Sequence, residues 1–366
     1  MPSLSERASI IGGKSMTRSK KVFGKWGGRG YGAYVTDVDG VNYLDMMCAL
    51  GARSLNNDDM FGYDYGVNFG VYSLPQIEEI EASEAVLKHA APWASSVRFT
   101  KTGSEACHAA YRIAKAATGR RCVLFSESAY HGWHEWCDKA SIDALTFDEG
   151  QDLSLKYFAR YPESIAAVFV EPPRFQPVEV AWLQHVREFC TRIGALMIMD
   201  EMIWGGRFAL GGCTEYHSVI PDLACWGKAF GNGQSVAFIT GSEALAKHGE
   251  IVSGTYSGDT LGLRAVCDTL QAYTTEPVID TLWERARQLH AGWTHAVPAS
   301  FATLTGPAPL MGIQYTHPEQ ERAFINGLMK QGVLCCGKWF MTMYAHTPEH
   351  MDRVVEAAAA VAKELA

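Results

Sequence analysis

The chain has no CxxC pair, no excess of positive charge, no apolar run long enough to span a bilayer and no repeat or low-complexity linker. Its ten cysteines are scattered apart from the adjacent Cys335 and Cys336, so they outline neither a disulfide framework nor a standard zinc pattern. Without a spanning run no membrane partner is expected, and the polar N-terminus has no signal-peptide pattern, which leads to the expectation of a reduced, cytoplasmic protein. A net charge of −8 argues against nucleic acid, because basic stretches such as RSKK are short and lack interleaved aromatics. Nucleotide motifs are missing too. In GKAFGNG, Lys228 is followed by Ala229 rather than Ser or Thr, and no apolar strand leads into the glycines of WGGRGYG.

What is present fits a two-domain enzyme. In 366 residues, 48% of them hydrophobic, a substantial core can be buried. Residues 1–69 read as an N-terminal arm and a hairpin, with apolar positions alternating around Asp39-Gly40 in GAYVTDVDGVNYLDM. Over residues 70–275 the apolar stretches VRFT, VLFS, AAVFVE, ALMIMD and VAFIT alternate with helical patterns such as AWLQHVREFCTRIG. That alternation predicts an α/β fold with a doubly wound, mainly parallel sheet. Residues 276–366, with a helix through TLWERARQLHAGW, strand-like LMGIQY and an Ala-rich terminal helix, suit a small α+β domain.

Candidate chemistry lies at the carboxyl ends of the predicted strands, where such sheets bind ligands. Lys228 stands between an apolar run and a glycine-rich turn in PDLACWGKAFGNG. Desolvation favours its neutral amine, which can form a Schiff base with an aldehyde. Asp200 ends the strand ALMIMD and can keep a pyridine nitrogen protonated, so together the two residues suggest pyridoxal 5'-phosphate (PLP). Each has a plainer reading, as a solvated lysine and a surface cap. In SSVRFTKTGSEACHAAYRIAKAATG, a strand, a turn at Thr102-Gly103 and a helix from Ser104 to Gly119 offer a phosphate seat on free N–H groups. Ser104 can equally be a simple N-cap. In AYHGWHEW, Tyr130 can lie flat on a pyridine ring, with Met202 closing the opposite face. His131, His134 and Cys137 do not have zinc spacing, so no metal is expected, and His131 reads as a buried imidazole shaping the loop.

GSEA, YHG, EPP, DEM followed by GGRFALGG, PDLACWGKAFGNG and GTYSGDTLGLRA occur in that order. In sequence and order they resemble class III aminotransferases, the PLP-dependent enzymes of fold type I. The stretch from Asp200 to Gly233 is most similar to glutamate-1-semialdehyde aminomutases. PWASSVRFTKTGSEACHAAYRIAKAATG, YHGWHEW and EPPRFQP resemble an aminotransferase branch with members in surface-polysaccharide or amino-sugar pathways. The resemblance covers residues 10–275 and thins beyond Ala272.

By that resemblance Lys228 is the Schiff-base lysine, Asp200 the pyridinium partner, Gly103 and Ser104 the phosphate loop and Tyr130 the stacking aromatic. Thr255 matches a threonine that reaches the neighbouring subunit's phosphate, which implies a homodimer with shared active sites. Gln176 stands where the aminomutases place an asparagine against the ring hydroxyl, and Arg18 falls beside an arginine that holds a substrate carboxylate. Arg174 and Arg207, near the expected mouth of the site, are further candidates for acidic substrate groups. Two departures are visible: Asp259-Thr260 replaces an Asn-Pro pair, and the segment after YHGWHEW is short where relatives carry a covering loop. The expected activity is ping-pong transfer of an amino group from an amine or amino-acid donor to a carbonyl acceptor. The alternatives are an intramolecular 2,1-aminomutase and a non-catalytic PLP-binding protein.

Overall fold

The computed structural model describes Thr17, Lys20, Ser141, Phe175 and residues 23–58, 70–138, 144–147, 163–172 and 178–365. The chain divides into two compact units, one of Met1–Gly62 with Asp280–Ala366 and one of Tyr63–Ile279. In the first unit, β1 (Gly27–Tyr31), β2 (Tyr34–Asp37) and β3 (Asn42–Asp45) pair antiparallel in sequence order. The β2–β3 turn forms where Asp39-Gly40 predicted it. Gly40 takes φ +85°, and the Asp37 carboxylate accepts the N–H groups of Asp39 at 3.0 Å and Val41 at 2.9 Å.

The second unit runs α1 (Ile77–His89), β4 (Ser96–Thr100), α2 (Gly103–Thr118), β5 (Cys122–Ser126), β6 (Ala144–Phe147) and β7 (Ile165–Val170). It continues through α3 (Val180–Ile193), β8 (Leu196–Asp200), α4 (Gly212–His217), β9 (Leu223–Trp226), β10 (Ala237–Gly241), α5 (Glu243–His248) and α6 (Thr260–Thr275). Its seven strands lie in the order β4-β10-β9-β8-β7-β5-β6. The run from β6 to β9 is parallel, and β10 is antiparallel to both its neighbours. Residues 227–236, the link between β9 and β10, are too few for a parallel crossover, which needs about a dozen or more, so the chain turns straight back. All six residues of β7 are buried, as a strand covered on both faces requires. Helix α2 packs across β7 to β10, while α3 packs on β7 and β8 with its buried side chains outside the cluster built on α2. Strand β9, read from the sequence only as an apolar run, is fully buried beside β8. Helices α2 and α3 both end on a glycine at φ +67°, Gly119 and Gly194.

The rest of the first unit holds α7 (Val278–Ala296), β11 (Ala302–Leu304), β12 (Leu310–Tyr315), α8 (Glu321–Lys330), β13 (Val333–Leu334), β14 (Trp339–Met341) and α9 (Pro348–Leu365). Strand β13 pairs parallel with β3, and β11-β12-β14 form a separate antiparallel sheet. Their core gathers Trp293, Phe301, Phe324, Phe340 and the inward alanines of α9. Among the described residues no helix is long and apolar enough to cross a membrane.

Candidate active site

The turn from β4 into α2 is built differently from the Ser104 cap considered above. Thr102 is the N-cap. Its hydroxyl accepts the Glu105 N–H at 3.2 Å, and the Glu105 carboxylate accepts the N–H groups of Thr102 at 2.9 Å and Lys101 at 2.8 Å, a reciprocal capping box. Because Thr102 satisfies the third helical N–H, those of Gly103 and Ser104 have no partner in the helix and point, with the positive end of its dipole, at an anion site. The Ser104 hydroxyl, relieved of capping, faces Gly132. A Cβ on Gly132, which has φ +113°, would lie 2.6 Å from Ser104 Oγ, so the YHG loop closes on the helix only as glycine.

At the end of β8, Asp200 is 1% exposed and carries three hydrogen bonds. Its Oδ1 accepts the Met202 N–H at 3.1 Å, and its Oδ2 accepts His131 Nδ1 at 2.7 Å and the Cys107 thiol at 3.3 Å. Burial pushes the carboxyl up, but the His131 bond and charge, the Met202 N–H and the charge of Lys228 outweigh it, and Asp200 is held below its ordinary value. For His131 burial works downward and is overcome by the bond to Asp200 and the charge of its carboxylate, which raise the imidazole to about 10. The result is a buried carboxylate–imidazolium pair. Phe125, Trp136 and Phe169 surround the imidazole with ring centroids 6.0, 6.2 and 5.3 Å away. Such an aromatic enclosure favours a cation and orients the ring toward Asp200. Cys107, His131 and Asp200 place ligand atoms within 4.8 Å of one another, yet the 2.7 Å His131–Asp200 separation is that of a direct hydrogen bond rather than of two ligands around an ion.

Lys228 follows β9 and is half-buried. Its φ of +45° is a left-handed conformation that costs a non-glycine residue about 1–3 kcal/mol, the kind of strain retained where a side chain must be aimed. Met202 connects the pieces. A Cβ on Gly103 would sit 2.9 Å from its sulfur and one on Gly227 3.0 Å, so the phosphate turn, the residue before Lys228 and the strand of Asp200 meet on one thioether. Tyr130 is 59% exposed, while its N–H donates to the Glu171 carboxylate at 2.7 Å. Thr255 is exposed. Arg207, expected at a mouth, is instead buried at 1% exposure. Arg18, Arg174 and Gln176 lie outside the described residues.

Sequence reasoning missed several groups here. Cys107 reads as one more small apolar residue on the inward face of α2, and Glu171 only as part of the EPP motif. Glu201 is buried beside Asp200, where burial lifts its carboxyl to about 7 against the N–H groups of Cys213 and Thr214 and the Thr214 hydroxyl. Asp259, noted only as a departure, caps α6 through the Gly262 N–H at 3.2 Å and pairs with Lys101 Nζ at 2.9 Å, tying the Thr255 loop to the residue before Thr102.

The arrangement fits a pyridoxal group. A carboxylate offers about four lone-pair positions, and three donors leave Asp200 with one, on Oδ1, for a ring N–H. The open N–H groups of Gly103 and Ser104 suit a phosphate, and the Lys228 side chain carries an amine of the kind that condenses with an aldehyde. Residues 140–361 match the profile of the family described as Aminotransferase class-III, well past Ala272, where the motif resemblance thins. Glutamate-1-semialdehyde 2,1-aminomutase of Thermomicrobium roseum is 30% identical over 92% of this chain and 90% of its own length. The enzyme of the same name from Desulforudis audaxviator is 30% identical over 90% and 88%. In fold the chain is similar to the PLP internal aldimine form of FumI from Sphingopyxis sp. MTA144, with TM-score 0.89 at 24% identity over 99% of this chain and 95% of that one. It is also similar to an omega-transaminase from Sphaerobacter thermophilus, with TM-score 0.86 at 24% identity over 98% and 96%. The chain is thus a member of the class-III aminotransferase family, and its cofactor is pyridoxal 5'-phosphate.

Proposed function

We propose that this enzyme is an aminotransferase that moves an amino group between an amine or amino-acid donor and a carbonyl acceptor in two half-reactions, with Lys228 and Asp200 as its catalytic residues. The observation that carries this reading is the buried 2.7 Å Asp200–His131 hydrogen bond beside a helix N-terminus whose first two N–H groups are open. PLP, when bound, supplies an aldehyde that condenses with amines and a ring that takes up electrons from the carbon beside them. Lys228 Nζ would hold that aldehyde and, when free, would be the base that moves the substrate's α-proton. Asp200 Oδ1 would keep the ring nitrogen protonated, with His131 holding the carboxylate in place. Gly103 and Ser104 would hold the phosphate through their N–H groups and the serine hydroxyl, with Tyr130 and Met202 beside the ring. Gln176 is assigned to the ring hydroxyl, and Arg18 and Arg174 to acidic groups of the substrate.

A homodimer belongs to this reading. Exposed Thr255 and Tyr256 on one loop, with Trp133 79% exposed, support a surface that a second copy covers. Ten free cysteines support a reducing, cytoplasmic setting. The test is to give the PLP-loaded protein single amino donors without an acceptor. Release of a stoichiometric carbonyl product with a change in the visible absorption is expected, and no product from any donor sinks the reading. The two relatives from Thermomicrobium roseum and Desulforudis audaxviator are named as 2,1-aminomutases, which favours an intramolecular shift as the second reading. Glutamate-1-semialdehyde converted to its amino-ketone isomer, with no deaminated product released, would select it.

A further inference from the structure

Helix α2 carries two groups toward the cofactor site: the open N–H groups of Gly103 and Ser104 at its start and, one turn on, the Cys107 side chain, 1% exposed. The Cys107 thiol donates to Asp200 Oδ2 at 3.3 Å, the same oxygen that takes His131 Nδ1 at 2.7 Å, while Oδ1 takes the Met202 N–H at 3.1 Å. With about two lone-pair positions per oxygen, Oδ2 is filled and Oδ1 keeps one. Remove the thiol and each oxygen has one open position, so the carboxylate no longer has a single face to offer. We propose that Cys107 is a positioning residue that closes Oδ2, so that Oδ1 alone meets the ring nitrogen, and that it gauges the distance between phosphate seat and ring partner through α2. This inference rests on the PLP reading above.

The thiol remains a donor rather than an anion. Cys225 beside it, then burial and the Asp200 charge, hold it well above the ordinary range. An S–H is a weak, long donor, which suits an oxygen that must also keep a short bond to His131. The competing account is that Cys107 only fills space among Ala106, Ala110 and Ile113 of the same buried cluster.

Two variants separate these accounts: C107A, which removes the donor, and C107S, which keeps one. In cofactor-free protein, the low-field proton resonance of His131 Nδ1, assigned by its loss in H131F, is expected to move downfield in C107A because the imidazole then has Oδ2 to itself. PLP affinity, from absorbance titration, is expected to fall roughly threefold to tenfold in C107A, and C107S returns both readings toward wild type. An unmoved resonance in C107A overturns the proposal, as does a loss of PLP affinity that is equal in C107A and C107S and follows their loss of thermal stability. Wild-type protein that takes up no PLP would refute the cofactor reading itself and the role of Cys107 with it, whatever the resonance does.

Discussion

His131→Phe is the substitution with the largest expected effect away from Lys228. It keeps a flat ring among Phe125, Trp136 and Phe169 but removes the 2.7 Å donor to a carboxylate that is 1% exposed. Raising an imidazole from 6.5 to about 10 corresponds to about 5 kcal/mol of stabilisation at most, and breaking a buried pair costs roughly 3–5 kcal/mol, so the two arguments agree. The pH dependence has a definite sign. A group raised on folding contributes stability that is complete below pH 6.5 and is lost as pH rises toward about 10. Asp200, held down on folding, contributes stability that is complete above its ordinary value of 3.8 and lost on acidification below it. Urea unfolding of cofactor-free wild type and H131F at about pH 6 is expected to differ by roughly 3–5 kcal/mol, with most of that gap closed by about pH 9.5. A gap below about 1 kcal/mol at pH 6, or one that does not narrow with pH, refutes the buried ion pair.

Lys228→Ala is expected to lower amino transfer by on the order of 10³-fold or more while leaving the urea midpoint nearly unchanged, because alanine meets the same strained φ; steady-state rates and unfolding curves check both halves. Gly132→Ala must relieve a Cβ placed 2.6 Å from Ser104 Oγ at φ +113°, and should cost about 1–3 kcal/mol in thermal stability and weaken PLP binding. Asp259→Ala loses the α6 cap and the 2.9 Å pair with Lys101, for about 1–2 kcal/mol, whereas Asp259→Asn keeps a cap and loses less than about 1 kcal/mol. Melting temperatures for both variants equal to that of wild type would show that neither contact contributes.

The α/β architecture was legible because its signals are local. Alternating apolar strands, glycines ending α2 and α3 and the Asp39-Gly40 turn each lie within a short stretch of chain. Less visible were β6 and β9, four-residue strands too short to show a period, and the reversal of β10, which depends on the length of a link rather than on its residues. Lys228 and Asp200 stood out by chemistry and position. Their surroundings did not, since Cys107 and Asp200 are 93 residues apart, Tyr130 and Glu171 41 apart, and Lys101 and Asp259 158 apart. Nothing in a cysteine or a glutamate taken alone says which carboxylate or loop it will meet. The cap is Thr102 rather than Ser104 because the Glu105 side chain reaches back to the Thr102 N–H, a reciprocal contact that the reading of Ser104 as a simple cap did not include.

The most direct test of the account is to trap the cofactor where it is held. Purified protein loaded with PLP is reduced with borohydride, digested and read by peptide mass. The account predicts the added pyridoxyl phosphate mass on the peptide containing Lys228, and its absence from that peptide in Lys228→Ala. An adduct on another lysine with Lys228 unmodified, or no adduct on protein that retains the cofactor, would contradict it.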